Sequence, residues 1–221
     1  MDLFEKSAFK QKFTIGLLGI LLPIMTISSC LFFGEHKIPR SISASYYTNS
    51  MPILEVSLGI LGVVFITYSN KNLFYSIIHW LIGISAIGIA IFPTYVESFA
   101  GPVGIFDLMG ATSGIFHQIF TGIFFVLIAF TMVFLLANCF ETKFSFPRHH
   151  DKYYFASGII EAFLLLVLAF GIIFDLNSYF HEFIFLLEVL LLWNFGICFM
   201  INSWDIYHQS QPQKNVSDEI S

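Results

Sequence analysis

Five ionisable side chains lie inside long apolar stretches of this chain: Glu55, His79, His117, Glu161 and Glu188. A charged side chain at the centre of a bilayer costs about 2.5–3.5 kcal/mol on insertion scales, so such residues usually face the interior of a helical bundle. Carboxylates and imidazoles in that setting hydrogen-bond polar ligands, coordinate metal ions or transfer protons. These five residues are therefore the first candidates for chemistry.

The composition predicts that the elements carrying them fold in lipid. Of the 221 residues, 57% are hydrophobic and only 11% are charged, whereas soluble domains carry about 25% charged residues. Apolar stretches of about 20 residues, enough to cross the hydrocarbon core as helix, alternate with short polar ones. We therefore predict an all-α, polytopic transmembrane bundle of six helices in a single domain over 1–204, followed by a disordered cytoplasmic tail over 205–221. The predicted spans are 13–33, 51–68, 73–92, 113–137, 154–174 and 180–201.

The basic residues predict the orientation of this bundle. Only Lys37 and Arg40 fall on one side of the predicted spans, and the other eight fall on the opposite side. Since Lys and Arg are enriched in cytoplasmic loops, both termini are expected inside the cell. The net charge of −5 gives no reason to expect a nucleic-acid partner. The eight inner basic residues are Lys6, Lys10, Lys12, Lys71, Lys143, Arg148, Lys152 and Lys214.

The helix rise places one layer of polar residues in the outer half of the membrane. At 1.5 Å per residue, Glu55, His117 and Glu188 all lie nearer the outer end of their spans, and Asp107 lies just before span four. The hydroxyl-rich loop 34–50 would close over them. In this hypothesis Glu188 supplies charge and His117 a hydrogen bond that can gain or lose a proton. The alternative for each residue is an interhelical hydrogen bond or hydration near the interface. The candidate ligand-binding residues are Glu188, His117, Glu55, Asp107, Ser43, Tyr46 and Tyr47.

A second layer lies nearer the inner end. His79 and Glu161 each fall about 10 Å from that end and form a candidate inner proton relay, if their helices touch. Lys12 is interpreted as a cytoplasmic anchor of the first span, and His149 and His150 as solvated loop residues. Small residues in spans two, three and four predict that these three helices form the packed centre.

Four short motifs resemble a family of bacterial multi-pass membrane proteins of unknown function. They are S-I-S-A-S-Y-Y-T at 41–48, F-P-T at 92–94, F-H followed by F-F within 116–125, and E-x-x-x-L-W-x-F-G at 188–196. The resemblance covers about three quarters of the chain. It implies a bacterial inner-membrane location and implies that the loop 41–48, His117 and Glu188 belong to one site.

Three functions are compatible with these residues. The first is binding, sensing or transport of a small polar or lipid-like ligand, with membrane lipid as the surrounding partner and no cofactor. The second is a metal-dependent intramembrane hydrolase acting on lipid. The third is a structural membrane partner without a ligand.

The hydrolase alternative requires zinc, which needs about three protein ligands and an open position. The outer-layer residues together with His36 or His181 would supply them. In residue types the chain resembles the superfamily of alkaline ceramidases and adiponectin-type receptors, seven-span hydrolases that use a Ser, an Asp and three His. It departs from that pattern in having six predicted spans and no H-x-x-x-H pair in the last span.

Overall fold

A computed structural model describes residues 3–34, 36–68, 72–99, 101–136 and 150–209. Six α-helices make up most of this part of the chain, which confirms the predicted all-α bundle. Five of them are long and apolar enough to cross a membrane, and α2 is apolar but has only 16 residues. The helices are α1 (Leu3–Phe33), α2 (Met51–Ile66), α3 (Leu73–Ile91), α4 (Gly110–Phe130), α5 (Asp151–Ile173) and α6 (Phe183–Gln209).

Local signals explain several helix ends. Asn72 caps α3, because its side chain accepts a hydrogen bond from the Phe74 amide at 2.9 Å, which satisfies one of the free N–H groups of the first turn. Pro93 follows the end of α3, where it cannot continue the helix. Pro52 stands in the first turn of α2, where its missing N–H is not needed.

Two helices are longer than predicted. Helix α1 begins at Leu3 instead of residue 13, so Lys12 lies inside the helix. Helix α6 continues to Gln209, so residues 205–209 are helical and do not belong to a tail. Outside the described residues lie the predicted tail at 210–221, Lys71, Lys143, Arg148, His149 and Lys214.

The helices form a closed ring. Each packs against the next along the chain, and α6 returns to pack against α1. A Cβ on Gly83 would lie 2.6 Å from the Gly62 carbonyl oxygen, so α2 and α3 approach closely, as their small residues predict. The α1–α6 contact, which was not predicted, is equally close: a Cβ on Gly16 would lie 2.7 Å from the carbonyl oxygen of Gly196. Spans two to four are therefore part of a ring instead of its centre.

Aromatic side chains fill the interior of this ring. Phe65 makes edge-to-face contacts with Phe124 and Phe199, and Phe124 makes another with Phe195. All four side chains are almost fully buried. Edge-to-face contacts suit the quadrupoles of the aromatic side chains, and these contacts hold three helices together, α2, α4 and α6.

Within the described ranges, 3₁₀ turns and a β hairpin lie at the end of the bundle where α1, α3 and α5 finish. We call it the outer end, following the orientation predicted from the charges. It carries 3₁₀ turns at Ser43–Tyr47, Glu97–Phe99 and Leu176–Ser178. It also carries an antiparallel hairpin of β1 (Pro102–Val103) and β2 (Leu108–Met109), in which Pro102 pairs with Met109. Toward the inner end, α4 continues as a π-helical segment, Thr131–Leu136.

Candidate functional site

A cavity of about 650 Å³ lies at the outer end of the bundle. It is enclosed by α4, α5, the start of α6 and the segments 40–48 and 94–99. We call it the outer cavity. Apolar side chains of α5 and α6, including Leu165, Leu168 and Ile184, form one part of its wall. The polar part is formed by Ser43, Tyr47, His117, Gln118, Thr121 and Glu188.

Glu188 is buried on α6 and holds the start of the 3₁₀ turn in place. Its Oε2 accepts hydrogen bonds from the backbone amides of Ile42 and Ser43, and its Oε1 accepts one from Ser43 Oγ at 3.2 Å. The carboxylate thereby satisfies N–H groups that the turn itself leaves free. Among the described residues, no Lys, Arg or His lies within ion-pair distance of Glu188.

His117 reaches the same cavity from α4. Its Nδ1 lies 2.7 Å from the carbonyl oxygen of Phe92, at the end of α3. A carbonyl oxygen can only accept, so Nδ1 carries the proton, and Nε2 is the acceptor in the neutral ring. The hydrogen bond to α3 thus fixes both the tautomer and the orientation of the imidazole.

Two tyrosines follow Ser43 in the 3₁₀ turn, and they are placed differently. Tyr47 lines the cavity, donates a hydrogen bond from its hydroxyl to the Thr94 carbonyl at 2.8 Å, and stacks on Phe99. Tyr46 packs edge-on against Tyr47 and does not line the cavity. Partial burial raises the pKa of both phenols, and the negative charge of Glu55 adds to the effect on Tyr46.

The structure does not bring two other predicted residues to the cavity wall. Glu55 is half-buried on α2, which is not one of the helices that enclose the cavity, and acts on Tyr46 instead. Asp107 is exposed at the tip of the β hairpin, with a φ of 51°. The hairpin carries it away from the start of α4, a fold that hydropathy could not indicate.

Sequence reasoning overlooked Gln118 and Thr121, which line the cavity from α4. The Thr121 hydroxyl is buried and has no hydrogen-bond partner within the described structure. Thr121 stands one helical turn after His117, so both share a face of the helix. The four-residue spacing from His117 could have predicted that Thr121 faces the same site. A threonine in a predicted span is usually explained by a hydrogen bond from its hydroxyl to the helix backbone, so it does not by itself indicate a site.

The predicted inner pair, His79 and Glu161, is not assembled. His79 bonds the Tyr75 carbonyl through Nδ1 at 2.6 Å, and its ring stacks on Tyr68. Glu161 instead accepts a hydrogen bond from Asn194 of α6 at 2.6 Å. The order of the ring explains the separation, since α4 lies between α3, which carries His79, and α5, which carries Glu161.

A polar cluster at the inner end was not predicted. Tyr154 donates a hydrogen bond from its hydroxyl to Asp205, and His150 Nδ1 lies 2.8 Å from the other Asp205 oxygen. Lys12 donates to Asn202, one turn earlier on α6. We call these five residues the inner cluster. Lys12 is therefore buried between helices instead of anchored in solvent, and His150 hydrogen-bonds Asp205 instead of standing in a solvated loop.

The ligand set required by the hydrolase alternative is not brought together. Across the described ranges, no three His, Cys, Asp or Glu side chains lie close enough to share one metal ion. His36 uses its Nδ1 to bond the Leu31 carbonyl. Zinc at the outer layer thus remains a prediction from residue types.

Comparisons with known proteins found no relative of this chain. No protein-family model matches the chain, and neither a curated protein nor a solved structure matches it. Fold and site together define its class: an apolar helical bundle of the kind found in integral membrane proteins, with a polar cavity at one end. The resemblance based on the four motifs remains a prediction.

Proposed function

We propose that this chain is a multi-pass protein of the cell membrane that binds a small amphiphilic ligand in the outer cavity. The observation that carries the proposal is the cavity itself, which has about 650 Å³ and joins Glu188 and His117 with an apolar wall. Ligand sites usually have about 300–1,000 Å³, mostly apolar walls and a few convergent polar groups. This cavity has such a volume and such convergent polar groups, and its wall is apolar on the side formed by Leu165, Leu168 and Ile184.

The packing of α4 and α5 supports entry of the ligand from the lipid. Near the inner end the two helices touch, since a Cβ on Gly158 of α5 would lie 3.1 Å from the Ala129 carbonyl oxygen of α4. Toward the outer end they are separated by the cavity, with Gly122 of α4 and Leu165 of α5 on its wall. Both helices expose apolar side chains on the outside of the bundle, so an entrance between them would admit a hydrocarbon chain without exposing it to water.

The polar wall supports a head group that donates hydrogen bonds. Glu188 offers carboxylate oxygens and His117 offers an unprotonated Nε2. The charged side chains that line the cavity are three acids, Glu97, Asp175 and Glu188, and one base, Arg40. This excess of acidic side chains over basic ones favours an amine or ammonium over a phosphate or carboxylate.

The test is to identify the lipids that copurify with the protein. Membranes are extracted with a mild detergent, and bound amphiphiles are quantified by mass spectrometry for the wild type, Leu165→Trp and Leu166→Trp. Leu165 lines the cavity, whereas Leu166, the next residue, is 70% exposed on the outside of the bundle. An indole at residue 165 would fill the space between α4 and α5.

We expect Leu165→Trp to lose the specifically enriched amphiphile and Leu166→Trp to retain it. Glu188→Gln should reduce the retention of ammonium-bearing ligands most, because it removes the carboxylate charge. Equal lipid profiles in the two tryptophan variants, or no enrichment over bulk lipid in the wild type, would contradict the proposal.

A further inference from the structure

Glu161 lies in the middle of the bundle and is not used by the outer cavity. Its side chain is fully buried on α5. Oε2 accepts a hydrogen bond from Asn194, while Oε1 has no partner among the described groups. An ionised carboxylate is energetically unfavourable in such surroundings. The lack of a described partner at Oε1 therefore indicates that this carboxyl group holds a proton or contacts water.

Its position relates it to both ends of the bundle. Leu165, one turn outward on α5, lines the outer cavity, about 6 Å away along the helix axis. Tyr154 of the inner cluster lies two turns inward, about 10 Å along the axis. Glu161 is thus an ionisable group set between two polar regions.

One buried polar residue of α5, Ser157, lies between Glu161 and the inner cluster. Ser157 is buried one turn inward from Glu161, and its carbonyl accepts the same Asn194 amide at 2.9 Å. Tyr154 follows, with its hydroxyl bonded to Asp205. Asp205 in turn bonds His150, which is 44% exposed and ends the row at the inner surface.

We propose that Glu161 is a proton-exchange site that communicates with the inner surface through Ser157 and the inner cluster. The proton leaves the Glu161 carboxyl group, passes over hydroxyl groups and intervening water to Asp205, and reaches solvent through His150. Glu161 is left as a carboxylate that Asn194 stabilises by its hydrogen bond, and the reverse steps restore the acid. Only O–H and N–H bonds are broken and formed, and no oxidant or reductant is involved.

Other titratable or charged groups lie around this row. From α6 they are Cys198, which is close enough to Glu161 for an electrostatic interaction, and Asp205, whereas Glu188 lies farther out, at the outer cavity. Helix α1 contributes Lys12 and helix α5 itself contributes Tyr153, whereas His117 of α4 lies at the outer cavity. Since Lys12 bonds Asn202, it places a positive charge beside the inner part of the row, which favours a proton leaving over one accumulating there.

Infrared difference spectroscopy of the full chain in lipid bilayers tests the proposal without a ligand. Spectra at acid and alkaline pH are subtracted, and the carboxylic-acid C=O band of Glu161 is assigned by its loss in Glu161→Gln. Glu161→Asp serves as a second variant, because it keeps the acid and should move the band instead of removing it. Transfer to D₂O then measures how fast this carboxyl group exchanges its proton.

We expect the band to respond to pH and to shift in D₂O. In Tyr154→Phe the exchange should be about tenfold slower, because one hydrogen-bonding group of the row is lost. Tyr179→Phe, which removes an exposed phenol at the outer end, should leave the rate unchanged. The proposal would be overturned if the band changed neither with pH nor in D₂O, or if the exchange rate were the same in Tyr154→Phe as in the wild type. Either result is independent of what the outer cavity binds.

Discussion

The two ends of this bundle use polar residues in opposite ways. At the outer end, Glu188 and His117 bond backbone groups and turn toward a cavity. At the inner end, Lys12, Tyr154 and Asp205 bond side chains of other helices. Polar groups that face space remain available to a ligand, whereas groups that satisfy one another hold helices together. The comparison shows that an intramembrane charge indicates an interior position without indicating which of these two roles it has.

The bonds at the two ends also differ in what they join. Lys12 and Asn202 are 190 residues apart in the chain, so their hydrogen bond ties α1 to α6. Glu188 ties α6 to a short irregular segment, because its partners Ile42 and Ser43 lie at the start of a 3₁₀ turn. Loss of an inner bond should therefore loosen the ring, and loss of an outer bond should loosen mainly the segment.

The largest effect should follow removal of Asp205. Asp205→Ala leaves the buried Tyr154 hydroxyl without its acceptor, which should lower the free energy of unfolding by about 2–3 kcal/mol. Unfolding in mixed micelles, followed by tryptophan fluorescence, measures the change. Asp107→Asn, at the exposed tip of the hairpin, is the matched control and should change stability little. If both variants have the same free energy of unfolding, the inner cluster does not hold the helices together.

A smaller effect is expected at Glu188. In Glu188→Gln the amide oxygen still accepts from the backbone of the 3₁₀ turn, so the loss should be about 1 kcal/mol. The segment 40–48 should instead become more sensitive to protease added to the outer side of vesicles. A decrease in the free energy of unfolding as large as that of Asp205→Ala would show that Glu188 also holds helices together, and the two ends would then not differ in this respect.

The smallest effect concerns the tyrosines beside the cavity. Partial burial holds the pKa of the Tyr47 phenol above its usual value of 10, so the folded state favours the protonated form. This favourable contribution is present below pH 10 and is lost as the pH rises through the higher folded-state pKa. A phenolate absorbance titration of the wild type minus Tyr47→Phe should place this group above a free phenol. A normal or lowered value would mean that the 3₁₀ turn leaves the ring in water.

Hydropathy and helix rise predicted much of the fold and part of the site. Six helices were expected because apolar stretches of spanning length are distinctive, and their centres agree with the structure. Ser43, Tyr47, His117 and Glu188 were expected in one outer layer, and the structure places all four on the wall of one cavity. Depth along a helix follows from residue number, so this much needed no tertiary information.

The remaining site residues depended on the direction of each side chain around its helix. Glu55 has the predicted depth but lies on α2, outside the cavity wall. Asp107 lies at the tip of a β hairpin and is likewise not part of the wall. Asp205 and Lys12 were interpreted as tail and anchor because they flank the predicted spans. The longer α1 and α6 instead place them between helices.

The sequence by itself determined that the chain forms apolar helices of spanning length and at which depth each scarce polar residue lies. Both follow from local properties, namely the hydrophobicity of a stretch and the fixed rise of a helix. Only the tertiary structure decided that α6 closes the ring on α1, that α4 separates His79 from Glu161, and that Asp205 meets Tyr154. These outcomes depend on which helices are neighbours and how each is rotated, and such contacts join residues too far apart in the chain for any local pattern to specify.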